Sequence, residues 1–385
     1  MLFVKGRKGV FEQAQKFRKN NKGKLAWFHA ASLGEFEQGL PVMEAFRKEF
    51  PEHKIVVSFF SSSGFEYKKD HPIADFTCYL PIDTKSNASR FVNTLNPDVV
   101  FFIKYEYWFY YLRELKKRSI PLFSISALFT PDHIFFKPYG GFHRRMLKFF
   151  DHTFVQNSSS QSLLDNIGIE DCSVSGDTRF DRVSQTVSQP QKLDEIRMFA
   201  SNSVTLVVGS AWPEDMEVVA DFINEKASEI KVIIAPHLID DAHVQKITSY
   251  LKVPFKLYSE RKIEPEDSVL ILNTIGMLSS TYQYADFAYI GGAFGDGLHN
   301  ILEAVAFGLP VVFGNEGLEK FPESGELMGL GGAFSVDSKT AANTALNHLL
   351  NSELRKKASD ICLEYIENNK GATEKIMLYL RENLR

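Results

Sequence analysis

The chain has 385 residues, a net charge of −4 and an ordinary composition, so it is long enough for two globular domains and lacks the basic excess of a protein that mainly binds nucleic acid. Its cysteines, Cys78, Cys172 and Cys362, are too dispersed for a metal site and too few for a disulfide framework, which is typical of a reducing cytoplasm. No apolar run approaches the roughly 20 residues that cross a membrane. The apolar run 1–4 ends at Lys5 and is too short for a signal peptide.

The first predicted helix is strongly basic. Residues 5–24 carry eight lysines and arginines against Glu12 alone, while apolar side chains recur at helical spacing from Val10 to Phe17. A basic amphipathic helix can bind the surface of an anionic bilayer. The same pattern also fits a solvated terminal helix that is docked by one apolar stripe, and both interpretations stay open here.

A buried strand is predicted at 25–30, and Glu35 follows it at the start of an amphipathic run that begins at Phe36. Ligands of open α/β sheets bind where strands end, and a helix dipole favours the ionised carboxylate that a general base requires. Glu35 is therefore a candidate catalytic base. Glutamate in a first helical turn is also common for capping reasons alone.

Apolar runs separated by helical stretches predict a parallel, doubly wound sheet in the first half. The further strands expected there are 54–60, 98–103, 121–126 and 153–156. Lys104 and Glu106 follow the strand 98–103, where they are either site residues or a surface ion pair. Residues 131–150 mix aromatic and basic side chains, which fits either a lipid-binding segment or a helix whose apolar face is core.

A linker is predicted at 184–193, which is rich in Ser and Gln and contains Pro190. A second α/β series follows it. The strands expected there are 204–210, 231–237, 269–278 including its turn, 286–290 and 311–314. Residues 341–385 are helical in pattern.

Four glycines fall within the seven residues 291–297, directly after a predicted strand. Glycine permits positive φ and close approach of a ligand, and a strand, a glycine loop and a helix start together offer N–H groups to a phosphate. A helix is expected over 300–307, with Asn300 and Glu303 on one face and Glu303 within reach of ribose hydroxyls. The same stretch also fits a simple tight turn, and its spacing disfavours a dehydrogenase dinucleotide site.

The chain has no Asp-x-Asp metal clamp, P-loop, H-E-x-x-H or G-x-S-x-G motif. Two sheet-forming halves with a nucleotide-like site in the second predict the GT-B class of α/β fold, two Rossmann-like doubly wound parallel-sheet domains that face a cleft. The domains are expected at 1–185 and 186–385.

Six short motifs follow one another along the chain. They are HAASLGE at 29–35, KYEYW at 104–108, GDTRFD at 176–181, GS at 209–210, NTIGML at 273–278, and GG at 291–292 continuing through HN at 299–300 to Glu303. Their order and spacing resemble the 3-deoxy-D-manno-octulosonic acid (Kdo) transferases of lipopolysaccharide synthesis over essentially the whole chain.

This resemblance implies a GT-B glycosyltransferase that moves Kdo from CMP-Kdo to a lipid A precursor (lipid IVA) with inversion, without a metal or other cofactor. It implies that Glu35 is the base, that the second half binds CMP, and that the protein acts at the cytoplasmic face of the inner membrane of a Gram-negative bacterium. The family usually has an N-terminal hydrophobic anchor, and this chain begins about where that anchor would end. Either an anchor precedes the sequence or attachment to the anionic membrane surface is peripheral.

The expected contacts fall into an acceptor set and a donor set. The acceptor set is Ser32, Gly34, Lys104, Glu106, Arg144 and Arg145. The donor set is Gly209, Ser210, Pro236, His237, Asn273, Thr274, Gly276, Met277, Leu278, Gly291, Gly292, Asn300 and Glu303. The family often has Arg between the residues that match Pro236 and His237, and Ser after Gly292; this chain has neither. The alternatives are a GT-B enzyme acting on a UDP-sugar, as transferase or epimerase, and a non-catalytic nucleotide-binding protein.

Overall fold

Two seven-stranded parallel sheets form the framework of the chain in a computed structural model. The structure describes residues 6–261, 263–264, 266–295 and 297–384. The apolar run 1–4, Lys5 of the basic segment and Asp296 of the glycine stretch therefore lie outside the described residues. The chain folds into two structural units, and each contains one of the sheets.

The bounds of the strands and helices are as follows. The strands are β1 Leu25–Ala30, β2 Lys54–Phe59, β3 Phe76–Tyr79, β4 Val99–Ile103, β5 Leu122–Ala127, β6 His152–Val155, β7 Cys172–Val174, β8 Thr205–Ala211, β9 Lys231–Pro236, β10 Lys256–Leu257, β11 Val269–Ile271, β12 Phe287–Ile290, β13 Val311–Gly314 and β14 Ala333–Val336. The α-helices are α1 Val10–Asn20, α2 Leu33–Glu49, α3 Ser62–Lys68, α4 Lys85–Leu95, α5 Phe109–Lys117, α6 Gly141–Leu147, α7 Ser158–Asp165, α8 Thr178–Ser188, α9 Asp194–Ala200, α10 Pro213–Lys226, α11 Asp241–Thr248, α12 Leu278–Thr281, α13 Leu302–Val305, α14 Pro322–Leu330, α15 Lys339–Leu350, α16 Ser352–Asn369 and α17 Ala372–Asn383.

The strand order locates the edge at which ligands bind in each sheet. The first sheet runs β3-β2-β1-β4-β5-β6-β7 and the second β10-β11-β9-β8-β12-β13-β14. The order reverses between β1 and β4 in the first sheet and between β8 and β12 in the second. In open parallel sheets, ligands bind outside the carboxyl ends of the strands at such a switch point. Glu35 and Glu106 follow β1 and β4, and Gly291 follows β12, so the predicted site residues fall at both switch points.

The core of the first unit lies on both faces of its sheet. Trp27 and Phe28 of β1 are fully buried on opposite faces, because successive side chains of a strand alternate. Trp27 packs with the face that α4 and α5 cover, and Phe28 packs with α2 and α17. A strand that is buried on both faces needs a continuous apolar run, which is the signal that predicted β1 correctly.

The last helix packs with the first unit, in contrast to the predicted second domain 186–385. The boundary lies between Arg182 and Val183, within three residues of the prediction, but the chain from Asn369 onward returns to the first unit. Ile376, Met377 and Leu380 of α17 are buried in the same cluster as Phe28. The helical pattern of this segment carries no information about which sheet buries its apolar stripe.

The linker predicted at 184–193 is wrong in its first half. Residues 184–188 continue helix α8, because Phe180 and Val183 bury its apolar side. Tertiary burial thus outweighs a Ser- and Gln-rich composition that favours a loop. The structure leaves only residues 189–193 without helix.

The basic helix α1 is docked by its apolar stripe, as the second interpretation predicted. Val10 and Ala14 are buried, and Phe17 stacks on Phe76 with ring centroids 5.0 Å apart. Arg7 donates to the carbonyls of Leu80 and Phe60 at 2.9 and 2.6 Å, and burial lowers the pKa of its guanidinium. Arg7 is therefore a structural residue. Lys8, Lys16, Lys19 and Lys22 are exposed on this segment.

Candidate functional site

Glu35 lies in the first turn of α2, at the carboxyl end of β1. Its Oε2 accepts hydrogen bonds of 2.6 Å from both the backbone N–H and the hydroxyl of Ser32. Glu35 therefore caps its own helix, and the capping interpretation is confirmed as one of its roles. The side chain is only partly buried, so the carboxylate is both fixed in orientation and accessible. Ser32, predicted as an acceptor contact, orients Glu35; exposed Gly34 lies beside it.

Glu106 belongs to a buried hydrogen-bonded network at the same edge. Its Oε2 lies 3.0 Å from His29 Nε2 and also accepts the indole N–H of Trp108. His29 Nδ1 lies 2.8 Å from Ser58 Oγ, which in turn accepts from Trp27 Nε1 at 2.7 Å. The network runs across neighbouring strands β2, β1 and the end of β4. Glu106 is therefore a buried, multiply bonded group, which contradicts the alternative of a surface ion pair with Lys104.

The turn after β4 holds a strained backbone. Lys104 has φ of +66°, an unusual value for a residue with a side chain. Its ammonium lies 5.1 Å from the ring centre of Tyr105. Burial raises the pKa of Tyr105, Arg179 opposes that rise, and the charges of Asp177 and Glu35 add to it. Tyr105, Arg179 and Asp177 thus share the electrostatic environment of Glu35.

Asp177 and Arg179 explain the third sequence motif, 176–181. Asp177 accepts hydrogen bonds from Gln38 Nε2 at 2.8 Å and from Arg179 Nε at 2.7 Å. Gln38 belongs to α2, one turn after Glu35. The motif therefore joins the start of α8 to the helix that carries Glu35. Sequence reasoning did not single out Asp177 and Arg179, although both stand inside a motif that it used.

The two predicted arginines of segment 131–150 have different positions. Arg144 Nη1 donates to the carbonyls of Phe135 and Lys137 at 3.0 Å each, so it closes the preceding turn. Arg145 is exposed. Met146, Leu147 and Phe150 are buried, which confirms that one face of this segment is core. Tyr139 and Phe142 remain 76% and 49% exposed.

In the second unit, the glycine loop follows β12 as predicted, but its first amides are already bonded. Gly291 N–H donates to Gly209 O and Gly292 N–H to Asp215 Oδ2, each at 2.9 Å. Gly295 and Gly297 N–H both donate to Gly292 O. These groups do not supply the open phosphate cradle that the glycine spacing predicted. Close approach explains the first two glycines instead: a Cβ on Gly291 would lie 2.4 Å from Asp215 Oδ2, and one on Gly292 would lie 2.3 Å from Gly297 O.

The carboxylate of Asp215, on helix α10, anchors this loop. It is fully buried, and Oδ2 accepts the backbone N–H of Trp212 and of Gly292, both at 2.9 Å. Oδ1 accepts the hydroxyl of Tyr289 at 3.1 Å. Burial raises the pKa of Asp215 despite these hydrogen bonds. A carboxylate on α10 thus holds the glycine loop after β12. Sequence analysis did not single out Asp215.

Trp212, His237 and His299 form an aromatic cluster above the loop. The ring centroids of Trp212 and His237 are 4.3 Å apart, and those of His237 and His299 are 4.5 Å apart. Trp212 Nε1 donates to His299 Nε2 at 3.0 Å. A cavity of about 170 Å³ opens beside Trp212 and is lined also by Asp215 and Gly292. His237 was predicted for this site. Trp212 and His299 were missed as site residues, since their contact joins distant parts of the chain.

The remaining predicted donor residues surround the same switch point. Ser210 is the last residue but one of β8 and has a φ of +51°. Gly209 leaves room for the Tyr282 hydroxyl, which a Cβ would meet at 2.1 Å. Pro236 ends β9. After β11, Asn273 bonds Ser259 through both its amide atoms, at 2.8 and 3.0 Å.

The other predicted donor residues of this turn lie between Asn273 and helix α12. Thr274 Oγ1 contacts Met277 Sδ at 3.0 Å, and Leu278 begins α12. Gly276 has φ of +85°, and a Cβ at this position would meet no atom within 4 Å, so its positive φ accounts for the glycine.

The helix predicted at 300–307 is shorter in the structure, Leu302–Val305. Asn300 uses its side chain to accept from Leu302 N–H at 3.2 Å and to donate to Glu303 Oε1 at 3.1 Å. The two residues share one face, as predicted. Gly308, at φ of +75°, ends the segment. Among the described residues, no group of three or more His, Cys, Asp or Glu side chains is suited to a metal ion.

Comparison with known proteins supports the first unit as a recognisable domain. Residues 5–182 match the family model described as 3-deoxy-D-manno-octulosonic-acid transferase (kdotransferase). A 3-deoxy-D-manno-octulosonic acid transferase of Chlamydophila psittaci is 27% identical over 301 residues, which are 76% of this chain and 70% of that protein. The protein of the same name from Chlamydia trachomatis is 26% identical over 368 residues, 91% of this chain and 82% of its own length.

Solved structures support the fold along nearly the whole chain. A UDP-GlcNAc 2-epimerase from Neisseria meningitidis superposes with a TM-score of 0.65 at 14% identity, covering 93% of this chain and 99% of that chain. At this identity the likeness shows the shared fold alone, the GT-B class with its two Rossmann-like parallel sheets. The chain is thus similar to 3-deoxy-D-manno-octulosonic acid transferases, by the family model over residues 5–182 and by relatives of that name along most of its length.

Proposed function

We propose that this protein is an inverting glycosyltransferase that moves Kdo from CMP-Kdo to a lipid A precursor. The observation that carries the proposal is the position of Glu35. It is an accessible carboxylate, fixed by Ser32 at the switch point of the first sheet, inside the part of the chain that matches the transferase family. The first unit is then the acceptor domain and the second unit the CMP-sugar domain.

In the proposed reaction, Glu35 takes the proton from a hydroxyl of the acceptor. The oxygen of that hydroxyl forms a bond to the anomeric carbon of Kdo, and the bond from that carbon to the phosphate oxygen of CMP breaks. CMP leaves with the electron pair of the broken bond. Hydrogen-bond donors fixed before the reaction stabilise the charge that develops on the departing phosphate.

Glu35 suits this role because its orientation does not depend on the substrate. Two donors from Ser32 hold Oε2, which leaves Oε1 as the oxygen that receives the proton. The buried pair of His29 and Glu106 lies at the end of the neighbouring strand. We assign Glu106 to the acceptor edge, where His29 and Trp108 hold it in place.

We propose that the lipid part of the acceptor, and the anionic membrane surface that contains it, meet the first unit at its exposed aromatic side chains. Tyr139 and Phe142 are exposed on the segment 131–150, and the ring centroids of Phe142 and Phe109 are 4.9 Å apart. Arg113 and Arg145 are exposed on the same two helices, α5 and α6. Apolar rings beside cations match acyl chains beside phosphates. Among the described residues, no helix has the length and apolarity to cross a bilayer. We place the enzyme at the cytoplasmic face of the inner membrane.

The test is product formation from defined substrates. The purified chain is incubated with CMP-Kdo and a defined lipid A precursor, and the lipid is examined by mass spectrometry. We expect a mass increase of one or more Kdo units with release of CMP, and the same turnover in excess EDTA because we propose no metal. UDP-N-acetylglucosamine serves as the competing donor. Transfer or epimerisation of the UDP-sugar, or no CMP release at all, would reject the proposal.

A further inference from the structure

A series of hydrogen bonds crosses the carboxyl edge of the first sheet and ends on Glu106. Trp27 Nε1 donates to Ser58 Oγ at 2.7 Å, and Ser58 Oγ lies 2.8 Å from His29 Nδ1. His29 Nε2 lies 3.0 Å from Glu106 Oε2, which also accepts the indole N–H of Trp108. Trp27, Ser58 and His29 are fully buried, so each of their polar protons needs an acceptor within the protein.

The two ends of the series fix the direction of each bond. An indole N–H can only donate, so Trp27 occupies one lone pair of Ser58 Oγ and the hydroxyl proton of Ser58 points elsewhere. Within the described part of the chain, His29 Nδ1 is the one acceptor for that proton. Nδ1 therefore presents its lone pair, and the imidazole carries its proton on Nε2.

The backbone carbonyl of Ser58 offers the competing arrangement. It lies 3.0 Å from His29 Nδ1 and would accept from that nitrogen if Nδ1 carried a proton. The hydroxyl proton of Ser58 would then have no acceptor among the described residues, and an unsatisfied buried donor is costly. His29 is accordingly a neutral ring that donates from Nε2 to Glu106 Oε2.

Glu106 keeps its other oxygen for a ligand. The N–H groups of His29 and Trp108 both donate to Oε2, and two such donors favour the ionised carboxylate. Oε1 accepts no hydrogen bond from the residues that the structure describes, and it is not one of the buried atoms that lack a partner. The remaining 8% exposure of Glu106 therefore includes Oε1. A carboxylate oxygen can only accept, so it suits a hydroxyl group.

We propose that His29 is a positioning residue, which holds Glu106 as a carboxylate so that Oε1 accepts a hydrogen bond from a hydroxyl of the sugar acceptor. Ser58 is no nucleophile in this arrangement, because it is buried and its proton serves to orient His29. The identity of the acceptor rests on the proposed function. The state of His29 belongs to the protein without ligand, so the two parts can fail separately.

The first experiment is nitrogen NMR of the full chain labelled with ¹⁵N-histidine, recorded without ligand. His29→Gln identifies the His29 signals. We expect an unprotonated Nδ1 and a protonated Nε2 in the wild-type protein. A protonated Nδ1 in the wild-type spectrum overturns the assignment, and this result needs no folded variant.

Two serine variants test the origin of that state. Ser58→Ala leaves only the backbone carbonyl near Nδ1, so Nδ1 of His29 should gain a proton. Ser173→Ala is the matched control, because it removes the serine that lies 2.8 Å from His152 Nε2 elsewhere in the same sheet. It should leave the His29 signals unchanged. Equal His29 signals in the wild type and Ser58→Ala would show that the hydroxyl does not set the tautomer.

The second experiment measures Kdo transfer at varied concentrations of a defined lipid A precursor and of CMP-Kdo. His29→Leu removes the donor to Glu106, so KM for the lipid should rise about tenfold or more, the value of one hydrogen bond to a charged group. KM for CMP-Kdo should stay the same. His29→Gln keeps a neutral amide N–H that can reach Glu106 and should restore most of the loss.

The outcomes separate the two parts of the proposal. An unchanged KM for the lipid in His29→Leu, or equal rises for both substrates, rejects the positioning role. A defect in His29→Gln as large as that in His29→Leu rejects a neutral donor. A wild-type protein that shows the expected tautomer but transfers no Kdo rejects the proposed function and not the state of His29.

Discussion

The carboxylate of Asp215 accepts the backbone N–H of Gly292 at 2.9 Å, so a side chain from α10 anchors the glycine loop that follows β12. The same carboxylate accepts from Trp212 N–H and the Tyr289 hydroxyl. One buried group therefore sets the backbone path at two of the strand ends that form the switch point. Gly291 and Gly292 are needed because other atoms approach them closely, and the carboxylate of Asp215 is the neighbour that a Cβ on Gly291 would meet.

Replacement of Asp215 by alanine should destabilise the second unit. It leaves two buried amides and the Tyr289 hydroxyl without an acceptor, and each unsatisfied group costs about 1–3 kcal/mol. We expect a clear fall in the free energy of unfolding, measured by denaturant titration, and weaker CMP binding. Glu214→Ala is the control, because Glu214 is the exposed neighbour on the same helix turn. An Asp215→Ala variant as stable as the control would show that the network contributes little.

The ionisation of Asp215 predicts a pH dependence. Burial raises its pKa above the ordinary value of 3.8. The folded chain therefore keeps this proton at pH values where the unfolded chain has released it. The resulting stabilisation is complete below the ordinary value and is lost as the pH rises through the raised value.

Asp215→Asn tests that dependence without removing the hydrogen bonds. Its Oδ1 can accept from both amides, and its Nδ2 can donate to the Tyr289 oxygen. Because asparagine does not ionise, the variant should gain stability relative to the wild type as the pH rises from about 4 to 7. If the unfolding free energies of the two proteins change equally with pH over this range, the raised pKa of Asp215 is contradicted.

Asp181 ties the last helix, α17, to the first unit, and we expect it to stabilise that helix. Its carboxylate accepts the backbone N–H groups of Gly371 and Thr373 at 2.6 Å each, at the start of α17. Asp181→Ala should lower the free energy of unfolding by about 1–3 kcal/mol and increase hydrogen exchange in α17 above all. Asp194→Ala, an exposed acid at the start of α9, is the control. Unchanged exchange in α17 would mean that burial of Ile376 and Leu380 alone holds this helix.

We expect the exposed lysines of the basic segment 5–24 to bind the surface of an anionic bilayer. Lys8, Lys16 and Lys19 are exposed, whereas Arg7 and Arg18 bond backbone carbonyls. Reversal of these three lysines to glutamate should weaken binding to anionic vesicles at least about tenfold, since each basic residue near such a surface contributes about 1 kcal/mol. CMP affinity should not change.

A matched charge reversal separates this effect from net charge. Lys246, Lys252 and Lys357 are exposed on the second unit, and their reversal alters the total charge equally. Equal losses of vesicle binding in both variants would mean that α1 has no special part in it. Cosedimentation at low and high salt measures both.

Sequence reasoning located the central strands but missed the edges of the sheets. β1 and β13 were predicted to the residue, and the other central strands to within one or two residues at their starts. The strands that escaped prediction, β3, β7, β10 and β14, are the four edge strands. An edge strand has one neighbour and is only partly buried, so it lacks the continuous apolar run that marks a strand covered on both faces.

The site shows a similar division between local and distant information. The position of Glu35 follows from a strand, a turn and a helix start within a dozen residues, and it was predicted. The bond between Asp215 and Gly292 joins residues 77 apart in sequence, and that between Trp212 and His299 joins residues 87 apart. Periodicity and motif spacing carry no signal for such pairs. They depend on which strands become neighbours, so only the fold reveals them.

The catalytic assignment of Glu35 must be separated from its capping role, and the hydrogen bonds from Ser32 show how. Glutamine serves as well as glutamate at the third position of a capping box. Glu35→Gln can thus still accept from the Ser32 backbone and hydroxyl, but it cannot take a proton. Glu35→Ala loses both functions, and Ser32→Ala removes one of the two donors while leaving the carboxylate.

We expect Glu35→Gln to retain the wild-type unfolding free energy and CMP affinity, and to lose roughly 10²–10⁴-fold in turnover with CMP-Kdo and the lipid acceptor. Glu35→Ala should lose as much activity and also some stability. Ser32→Ala should keep most of the activity, because the backbone donor still orients the carboxylate. Near-normal turnover by Glu35→Gln, with a defect in Glu35→Ala alone, would show that Glu35 only caps α2. The base would then be sought at Glu106, whose bonds to His29 and Trp108 already fix it at the neighbouring strand end.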